Sequence, residues 1–376
     1  MAPPPGRILT VNAGSSSLKL RVLDAADEVV CARDGEAIGD EAELSGELEA
    51  ILEEGGPIDA AGHRVVHGGP DFTGPTVVDP SVEDKLDRLA DLAPLHNPPA
   101  LAAMRALDAL RPGLPTVACF DTAFHATMPA AASTYAVPAA WSERWPLRRY
   151  GFHGLSHAYA SRRAAELLGR PPEELRIVTA HLGAGASLCA VKGGVSVDTT
   201  MGFTPLEGVV MATRSGTVDP GLLLWVQRHG GIDSDEMEQA LDRESGLLAL
   251  SRRSGDMREV IAGIEQGDES CQLAFDVYIH RLAAGLAAMA AAMDGLDAVV
   301  FTGGVGEGSA QVREAAASAT SFLGVAIDGA RSRGATADTV LSPADAAVAS
   351  VLVAAREDLE IAGQVRDTVL PPGHRR

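Results

Sequence analysis

Residues 8–23 read ILTVNAGSSSLKLRVL: a short apolar run, a turn of glycine and serine, and a second run in which apolar and charged residues alternate. This pattern predicts a strand, a tight turn and a second strand. The same layout returns in residues 177–188, IVTAHLGAGASL. With a one-residue insertion, five positions match, Ile8, Thr10, Gly14, Ser17 and Leu18 against Ile177, Thr179, Gly183, Ser187 and Leu188. Because each stretch opens one half of the chain, the sequence predicts a duplicated domain.

Glycine-rich turns can bind anions, because glycine allows positive φ angles and lets backbone N–H groups approach a ligand closely. The first turn adds three serine hydroxyls and the ammonium of Lys19. A third turn, residues 303–308, follows the apolar run 298–302 and precedes a predicted helix over 310–317. No turn matches the P-loop pattern GxxxxGK[ST], and ordinary hairpins are the alternative for either of the first two. Three such turns at strand ends predict a polyphosphate site between two domains.

Length, charge and cysteine content limit the class of protein. A chain of 376 residues with 46% hydrophobic content predicts two globular domains. Its net charge of −20 argues against nucleic acid or an anionic membrane as a partner. The four cysteines are far apart and form no CxxC pair, which favours buried thiols in a reducing compartment. The first residues lack the apolar segment of a secretory signal, so we expect a cytoplasmic protein.

Polar residues suited to chemistry are concentrated in short motifs. GHRVVHGG, residues 62–69, places two histidines and an arginine around two valines. Asp121 follows an apolar run where a strand would end, which is where ligands meet the chain in α/β folds. His153 and His157 are four residues apart, but Gly154 between them and the absence of HExxH argue against zinc. Hydrogen-bonded core residues are the alternative for most histidines, and the absence of GxSxG argues against a serine hydrolase.

Taken in order, these motifs resemble the acetate kinase family over almost the whole chain. The resemblance rests on VNAGSSSLK (11–19), GHRVVHGG (62–69), APLHNPPAL (93–101), FDTAFHATMP (120–129), RRYGFHGLSH (148–157), HLGAGAS (181–187), DTTMGFTPLEG (198–208), TRSGTVDPG (213–221) and FTGGVGEGS (301–309). It implies an α/β fold of two duplicated actin-like ATPase domains of the ribonuclease H type, with a central interdomain cleft. Residues 1–149 would form the N-terminal domain, joined by a C-terminal helix over about 358–376, and residues 150–357 the nucleotide-binding domain.

The resemblance also implies a reaction: reversible, Mg²⁺-dependent, in-line transfer of the γ-phosphate of ATP to acetate, giving acetyl phosphate and ADP. The enzyme would be a homodimer, and Mn²⁺ could replace Mg²⁺. The implied metal site is near Asn12 and Glu357. The implied catalytic residues are Asp121, His153 and Arg214, and the implied acid-binding residues are Arg64, Val66, Leu95, Phe152 and Pro205. The implied ATP contacts are Lys19, His181, Leu182, Gly183, Ala184, Gly185, Asp256, Met257, Arg258, Gly304, Val305, Gly306, Glu307 and Gly308.

Elementary chemistry agrees with these implied roles. Phosphoryl transfer passes through a loose, in-line transition state, so the protein mainly positions the reactants and neutralises their charge. Two arginines can cancel the repulsion between two anions. A guanidinium group is always charged, and it binds a carboxylate or phosphate through two parallel hydrogen bonds. Acetate is ionised at neutral pH and needs no general base. We therefore expect Asp121 to orient an arginine or a magnesium-bound water rather than to accept a proton.

Three departures from the family pattern affect the nucleotide and metal predictions. Ala184 and Gly308 stand where the family usually has asparagine, so contacts to the nucleotide are fewer. In the C-terminal segment AAREDL, residues 354–359, Glu357 and Asp358 compete for the metal-side role. A propionate or other short-chain acyl kinase and a pyrophosphate-using variant are alternatives, since one methylene in an apolar pocket is worth only about 1–3 kcal/mol. A non-catalytic ATP-responsive binding module is a more remote alternative.

Overall fold

The computed structural model describes residues 6–14, 17–36, 40–89, 97–336 and 338–369. The strands are β1 Ile8–Ala13, β2 Ser17–Leu23, β3 Val29–Glu36, β4 Ala60–Val65, β5 Thr76–Val77, β6 Thr116–Phe120, β7 Arg176–Leu182, β8 Ala186–Lys192, β9 Val195–Thr199, β10 Ala298–Thr302, β11 Thr339–Val340 and β12 Ala349–Leu352. The helices are α1 Glu41–Gly55, α2 Pro80–Arg88, α3 Asn97–Leu110, α4 Ala130–Ser133, α5 Ala139–Arg144, α6 Gly154–Leu168, α7 Pro220–Gly230, α8 Ser234–Arg243, α9 Gly246–Ser251, α10 Met257–Glu265, α11 Glu269–Ala292, α12 Gly303–Gly308, α13 Ala310–Ala319, α14 Gly329–Gly334 and α15 Glu357–Val369. Short 3₁₀ helices cover Ala123–Thr127, Pro172–Glu174 and Ser321–Leu323.

The chain forms two compact units, and unit 1 comprises Met1–Ala126, Phe152–Tyr159 and Arg356–Arg376. Its sheet has the strand order β3-β2-β1-β4-β6-β5. β1, β2 and β3 form an antiparallel meander, and β4 and β6 run parallel to β1. The alternation predicted for β2 is confirmed, since Leu18, Leu20 and Val22 are buried and Lys19 is exposed. This alternation fixes the register in which Asn12 lies opposite Lys19.

Both faces of the unit 1 sheet are covered by helices. Leucine and valine side chains of β1 and β2 pack with α1 and α3 on one face. On the other face Ile8 and Val117 pack with Ile361 and Val365 of α15. A Cβ added at Gly62 would lie 2.4 Å from Cγ2 of Ile361, so only glycine lets α15 pack this closely on β4. The predicted C-terminal helix is therefore part of the unit 1 core.

Unit 2 comprises Thr127–Gly151 and Ala160–Ala355, and its sheet repeats the topology of unit 1. The strand order is β11-β12-β10-β7-β8-β9. β7, β8 and β9 form an antiparallel meander, β10 and β12 run parallel to β7, and the edge strand β11 is antiparallel. Each meander begins with one of the two matching strand–turn–strand stretches. The prediction of a duplicated α/β domain is confirmed.

The division of the chain differs from the predicted boundary at residues 149 and 150. Residues 127–151 group with unit 2, where the guanidinium of Arg149 donates to the carbonyls of Thr200 and Met201. Residues 152–159 group with unit 1, where Leu155 packs beside Ile361. Contacts between residues far apart in sequence, rather than local composition, decide this assignment.

Residues 303–308, predicted as a turn, form the short helix α12. Nη1 of Arg313 donates to the carbonyls of Gly306 and Glu307 at 2.8 and 2.7 Å, so it supplies partners at the carboxyl end of a helix rich in glycine.

Among the described residues, α11 alone has the length and apolar composition that a membrane-spanning helix would need. It packs on α9, α10, α13 and the strands β7, β8 and β9, which is typical of a core helix.

Candidate active site

Three polar side chains of unit 1 lie at the carboxyl ends of neighbouring parallel strands. Asn12 is near the end of β1, Arg64 is near the end of β4, and Asp121 directly follows β6. β4 lies between β1 and β6 in the sheet. Because parallel strands end at the same edge of a sheet, side chains at their carboxyl ends can converge on one ligand. The prediction that Asp121 ends a strand is confirmed.

Arg64 and Asp121 form a bidentate ion pair. Nε of Arg64 lies 3.1 Å from both carboxylate oxygens, and Nη2 lies 2.5 Å from Oδ2. The side chain of Asp121 is 1% exposed and that of Arg64 is 17% exposed. Burial acts to lower the pKa of Arg64, but the carboxylates of Asp121 and Glu357 outweigh it and raise that pKa. Burial raises the pKa of Asp121, and the charge of Arg64 opposes the shift. The guanidinium is thus charged and held in one orientation.

Asn12 joins this ion pair to the C-terminal helix. Nη1 of Arg64 donates to Oδ1 of Asn12 at 3.1 Å. Nδ2 of Asn12 donates in turn to Oε2 of Glu357, also at 3.1 Å. Asp358, the competing residue, pairs instead with Arg356 at 2.8 Å. The structure therefore brings Glu357 to Asn12 and leaves Asp358 engaged with its neighbour.

Asp121 also anchors the segment that carries His153. Its carboxylate accepts a hydrogen bond from the backbone N–H of His153, and its carbonyl accepts one from Gly154 at 2.9 Å. A Cβ added at Gly154 would lie 2.1 Å from that carbonyl oxygen, so glycine is required there. His153 has a φ of 57°, the left-handed region that is costly for a residue with a Cβ. Strain of this kind persists where surrounding contacts enforce it and is concentrated at functional sites.

Buried aromatic side chains contact Phe152, the residue before His153. Phe152 is 1% exposed, and the His67 ring meets it edge-on with centroids 5.3 Å apart. Nε2 of His125 lies 3.0 Å from the carbonyl oxygen of Phe152. Burial lowers the pKa of His125 to about 4, so the ring is neutral at pH 7 and Nε2 carries the donated proton. Val66 is also buried, whereas Leu95 lies outside the described residues.

In unit 2 the structure brings together the predicted glycine turn 183–185 and the helix α12. Gly183 donates to the carbonyl of Gly185 at 3.0 Å, which closes the turn after β7. Gly303, with a φ of 78°, passes so close to β7 that an added Cβ would lie 2.8 Å from the carbonyl oxygen of Leu182. His181 pairs with Thr302 in the sheet. The sequence HLGAG and the sequence GGVGEG thus meet at the carboxyl ends of two adjacent parallel strands.

The segment 254–258 lies near the same turn. Ala212 donates to the carbonyl of Ala184 at 3.0 Å, and a Cβ added at Gly255 would lie 2.7 Å from the carbonyl oxygen of Ala212. Asp256 begins α10 by accepting from the backbone of Arg258 at 2.8 Å. It also pairs with the guanidinium of Arg258, whose side chain is 90% exposed. Both side chains are therefore accessible to a ligand.

Arg214 and Pro205 are in direct contact in unit 2. Nη1 of Arg214 donates to the carbonyl of Pro205 at 3.3 Å. Nε of Arg214 pairs with Asp242 at 3.0 Å, and the side chains are 21% and 25% exposed. Arg214 is thus oriented by one carboxylate, as Arg64 is in unit 1. The motifs contain no signal for Asp242, which is in α8 and outside every matched segment.

The residues at Asn12 fit a hard divalent cation. Asn12 and Glu357 carry amide and carboxylate oxygens, the ligand types that Mg²⁺ prefers, and Mg²⁺ commonly keeps several waters. In this structure Oδ1 of Asn12 accepts from Arg64, and Nδ2 of Asn12 faces Glu357. Within the described ranges there is no group of three or more His, Cys, Asp or Glu that could hold a metal. The rings of His153 and His157 have centroids 6.5 Å apart. A zinc site built on these histidines therefore finds no support in the described part of the chain.

Comparisons with known proteins identify the family of this chain. The family model described as the acetokinase family matches residues 42–363. An acetate kinase of Streptomyces coelicolor is 45% identical, with 98% of each chain covered. The solved acetate kinase of Porphyromonas gingivalis is 35% identical with a TM-score of 0.89, covering 96% of this chain and 99% of that one. A solved propionate kinase of Francisella tularensis is 33% identical with a TM-score of 0.89, covering 97% and 100%. By motif, topology and overall similarity, this chain belongs to the acetokinase family.

Proposed function

We propose that the chain catalyses the reversible, Mg²⁺-dependent transfer of the γ-phosphate of ATP to acetate, giving acetyl phosphate and ADP. Membership of the acetokinase family implies ATP as co-substrate and a divalent metal ion. The observation that best supports this reaction is the arrangement of Arg64, Asp121 and the backbone of His153 at the sheet edge of unit 1. It supplies a fixed positive charge and a constrained histidine beside one another.

The two arginines have the task of cancelling charge repulsion. Acetate and the γ-phosphate are both anions, so they repel each other as they approach. Arg64 and Arg214 each supply a permanently charged, planar donor, and each is oriented by a carboxylate, Asp121 and Asp242. Pre-oriented charges need no reorganisation during the reaction, which is the main source of stabilisation in such sites.

In the proposed step, a carboxylate oxygen of acetate forms a bond to the γ-phosphorus while the bond from phosphorus to the bridging oxygen of ADP breaks. Acetate is already ionised, so no proton has to be removed. We therefore assign Asp121 the positioning of Arg64 and of the 152–154 segment. His153 would donate a hydrogen bond to the phosphoryl oxygens as they pass from donor to acceptor.

We assign the ATP contacts to Lys19, His181–Gly185, Asp256–Arg258 and Gly304–Gly308. An added Cβ at Gly304 or Gly308 would meet no atom within 4 Å, so the surface of α12 is open there. This openness supports a nucleotide rather than pyrophosphate as the phosphoryl donor. Asn12 and Glu357 would hold Mg²⁺, and Lys19, the register partner of Asn12, would add a positive charge on the same face. When bound, the ion would neutralise charge on the phosphates.

The preferred acid is the finer part of the proposal. Val66, Leu95, Phe152 and Pro205 would form the apolar surface for the methyl group. The similarity to a solved propionate kinase makes propionate the second candidate. A difference of one methylene gives discrimination of about 10–200-fold at most, so the two acids must be compared directly.

The test is an acyl-phosphate assay with hydroxylamine as the trap. Acetate, propionate and butyrate are each supplied with ATP or pyrophosphate, with Mg²⁺ or with a chelator. We expect the largest hydroxamate yield from acetate, ATP and Mg²⁺. No hydroxamate from any combination would refute the enzymatic function, and a larger kcat/KM for propionate would change the acid assigned.

We also propose a homodimer in the cytoplasm. The four cysteines are free thiols, which suits a reducing compartment. Sedimentation equilibrium of the purified chain tests the homodimer, and a mass of one chain at micromolar concentration would contradict it.

A further inference from the structure

The loop after β9, residues 200–207, carries Pro205 and contacts Arg214. We call it the 200–207 loop. Pro205 is a proposed acid-pocket residue, and its carbonyl accepts the 3.3 Å hydrogen bond from Nη1 of Arg214. The loop has no regular secondary structure of its own. Its shape must therefore be set by contacts with other parts of unit 2.

Arg149 ties the start of the loop to its end. Its Nη1 donates to the carbonyls of Thr200 and Met201, both at 3.0 Å. Its Nη2 lies 2.6 Å from Oε1 of Glu207, and the Arg149 side chain is only 17% exposed. One guanidinium thus holds both ends of the 200–207 loop.

Tyr135 holds the middle of the loop. Its hydroxyl donates to Oε2 of Glu207 at 2.6 Å and accepts from the backbone N–H of Phe203 at 2.9 Å. The guanidinium of Arg149 lies 5.6 Å from the centroid of the Tyr135 ring. Both carboxylate oxygens of Glu207 are therefore engaged, each by a different donor.

Tyr135 and Glu207 leave no room for a side chain at Gly202. A Cβ added at Gly202 would lie 1.8 Å from Oε2 of Glu207 and 2.2 Å from the hydroxyl oxygen of Tyr135. Glycine at this position lets the loop close directly on the two polar groups. Tyr135, Arg149 and Glu207 come from three places in the sequence and have no role in the proposed chemistry.

We propose that Tyr135, Arg149 and Glu207 form a positioning cluster that fixes the 200–207 loop and thereby sets how well the enzyme distinguishes acetate from longer acids. The inference rests on the proposed function, since it takes Pro205 as a wall of the acid pocket. A wall that moves outward loses contact with a methyl group and gains room for an ethyl group. The cluster contacts the loop that carries Pro205, so we expect a larger effect on the acid than on ATP.

The test measures steady-state kinetics of Glu207→Gln and Tyr135→Phe with acetate and with propionate, using hydroxamate formation at saturating ATP and Mg²⁺. We expect KM for acetate to rise about three- to tenfold, and the ratio of kcat/KM for acetate to that for propionate to fall by a similar factor. KM for ATP should stay within about twofold of the wild-type value. Hydrogen exchange of amides 200–207 should become faster in both variants.

Asp297→Asn is the matched control. Asp297 forms an ion pair with Arg176 whose burial is comparable to that of the Arg149–Glu207 pair. The control pair lies at the amino ends of β7 and β10, away from the 200–207 loop. The Asp297→Asn variant should leave both the acid ratio and the loop exchange unchanged. An unchanged ratio in Tyr135→Phe, or a KM for ATP that rises as much as that for acetate, would overturn the proposal. Tyr135→Phe removes a single hydroxyl, so it still tests whether the cluster affects acid discrimination if Glu207→Gln fails to fold. A wild-type enzyme that is inactive with every acid would refute the proposed function and this inference with it. If the wild type is active and the variants keep its ratio of kcat/KM for acetate to that for propionate, only this inference is refuted.

Discussion

The amide of Asn12 donates a hydrogen bond to the carboxylate of Glu357 at 3.1 Å, although 345 positions separate the two residues. Packing makes this contact possible, because Ile361 and Val365 of α15 pack directly against Gly62 of β4, the strand next to β1. The helix thereby presents its first carboxylate to the end of β1. The pair in turn touches Arg64 through Oδ1 of Asn12.

The first prediction separates Glu357 from Asp358. Glu357→Gln should raise the Mg²⁺ concentration for half-maximal activity by about tenfold or more, because the site loses its charged oxygen ligand. Asp358→Asn should change it by less than about twofold, because Asp358 is paired with Arg356. Activity titrated with Mg²⁺, and Mn²⁺ binding followed by electron paramagnetic resonance, provide the two readouts. A larger effect in Asp358→Asn would reverse the assignment.

The second prediction concerns the role of Asp121. Asp121→Asn should lower kcat about 100-fold, because Arg64 and the His153 segment lose their charged anchor. The shape of the pH–rate profile should not change, because no proton transfer is assigned to this carboxylate. Initial rates between pH 5.5 and 9 decide the question. Loss of an acidic limb in the variant would mean that Asp121 acts as a general base.

A third prediction uses the left-handed backbone of His153. His153→Ala and His153→Gly should both lose about 100-fold in kcat, because each removes the same donor. The glycine variant should be more stable than the alanine variant by about 1 kcal/mol, since glycine adopts a φ of 57° without strain. Urea unfolding compares the two. Equal stability would mean that the backbone at 153 relaxes in the variants.

The fourth prediction concerns His63, which is fully buried and has no hydrogen-bond partner at either ring nitrogen among the described residues. Burial lowers its pKa to about 3, whereas in the unfolded chain it is near 6.5. Between these pH values the unfolded state binds more protons than the folded state. The contribution of His63 to the free energy of unfolding is therefore fully retained above pH 6.5 and falls as the pH drops towards 3. At pH 5 the loss from this residue should be about 2 kcal/mol.

His63→Leu should therefore flatten the fall in unfolding free energy between pH 7.5 and pH 5, while its stability at pH 7.5 is equal or higher because an unsatisfied polar group is removed. Urea unfolding at the two pH values gives both numbers. His280→Gln, at an exposed position on α11, serves as the control and should leave the slope unchanged. An unaltered slope in His63→Leu would contradict the prediction.

The fifth prediction restores the residue that the family usually has at position 184. The side chain of Ala184 is exposed, and its carbonyl holds Ala212, so the turn keeps its shape when the side chain grows. Ala184→Asn should lower KM for ATP about three- to tenfold by adding one hydrogen bond to the nucleotide. KM for acetate should not move. An unchanged KM for ATP would place this side chain away from the nucleotide.

Local patterns predicted much of the fold. The alternation in β2, which follows the two-residue period of a strand, and the matching layout of residues 177–188 predicted the strand–turn–strand pairs β1–β2 and β7–β8. Where tertiary contacts outweighed local propensity, the prediction was wrong. Residues 303–308 are too rich in glycine to favour a helix, yet the guanidinium of Arg313 and the packing against Leu182 hold them as one.

For the candidate site, the sequence by itself determined which residues are proposed to carry the chemistry, through motifs confined to neighbouring positions in the chain. Tertiary structure alone decided their partners. Arg214 pairs with Asp242, Asn12 contacts Glu357 rather than Asp358, and Glu207 is held by Tyr135 and Arg149 from 72 and 58 positions away. Such pairs depend on how helices and strands pack, and packing joins residues whose separation along the chain leaves no periodic or local signal.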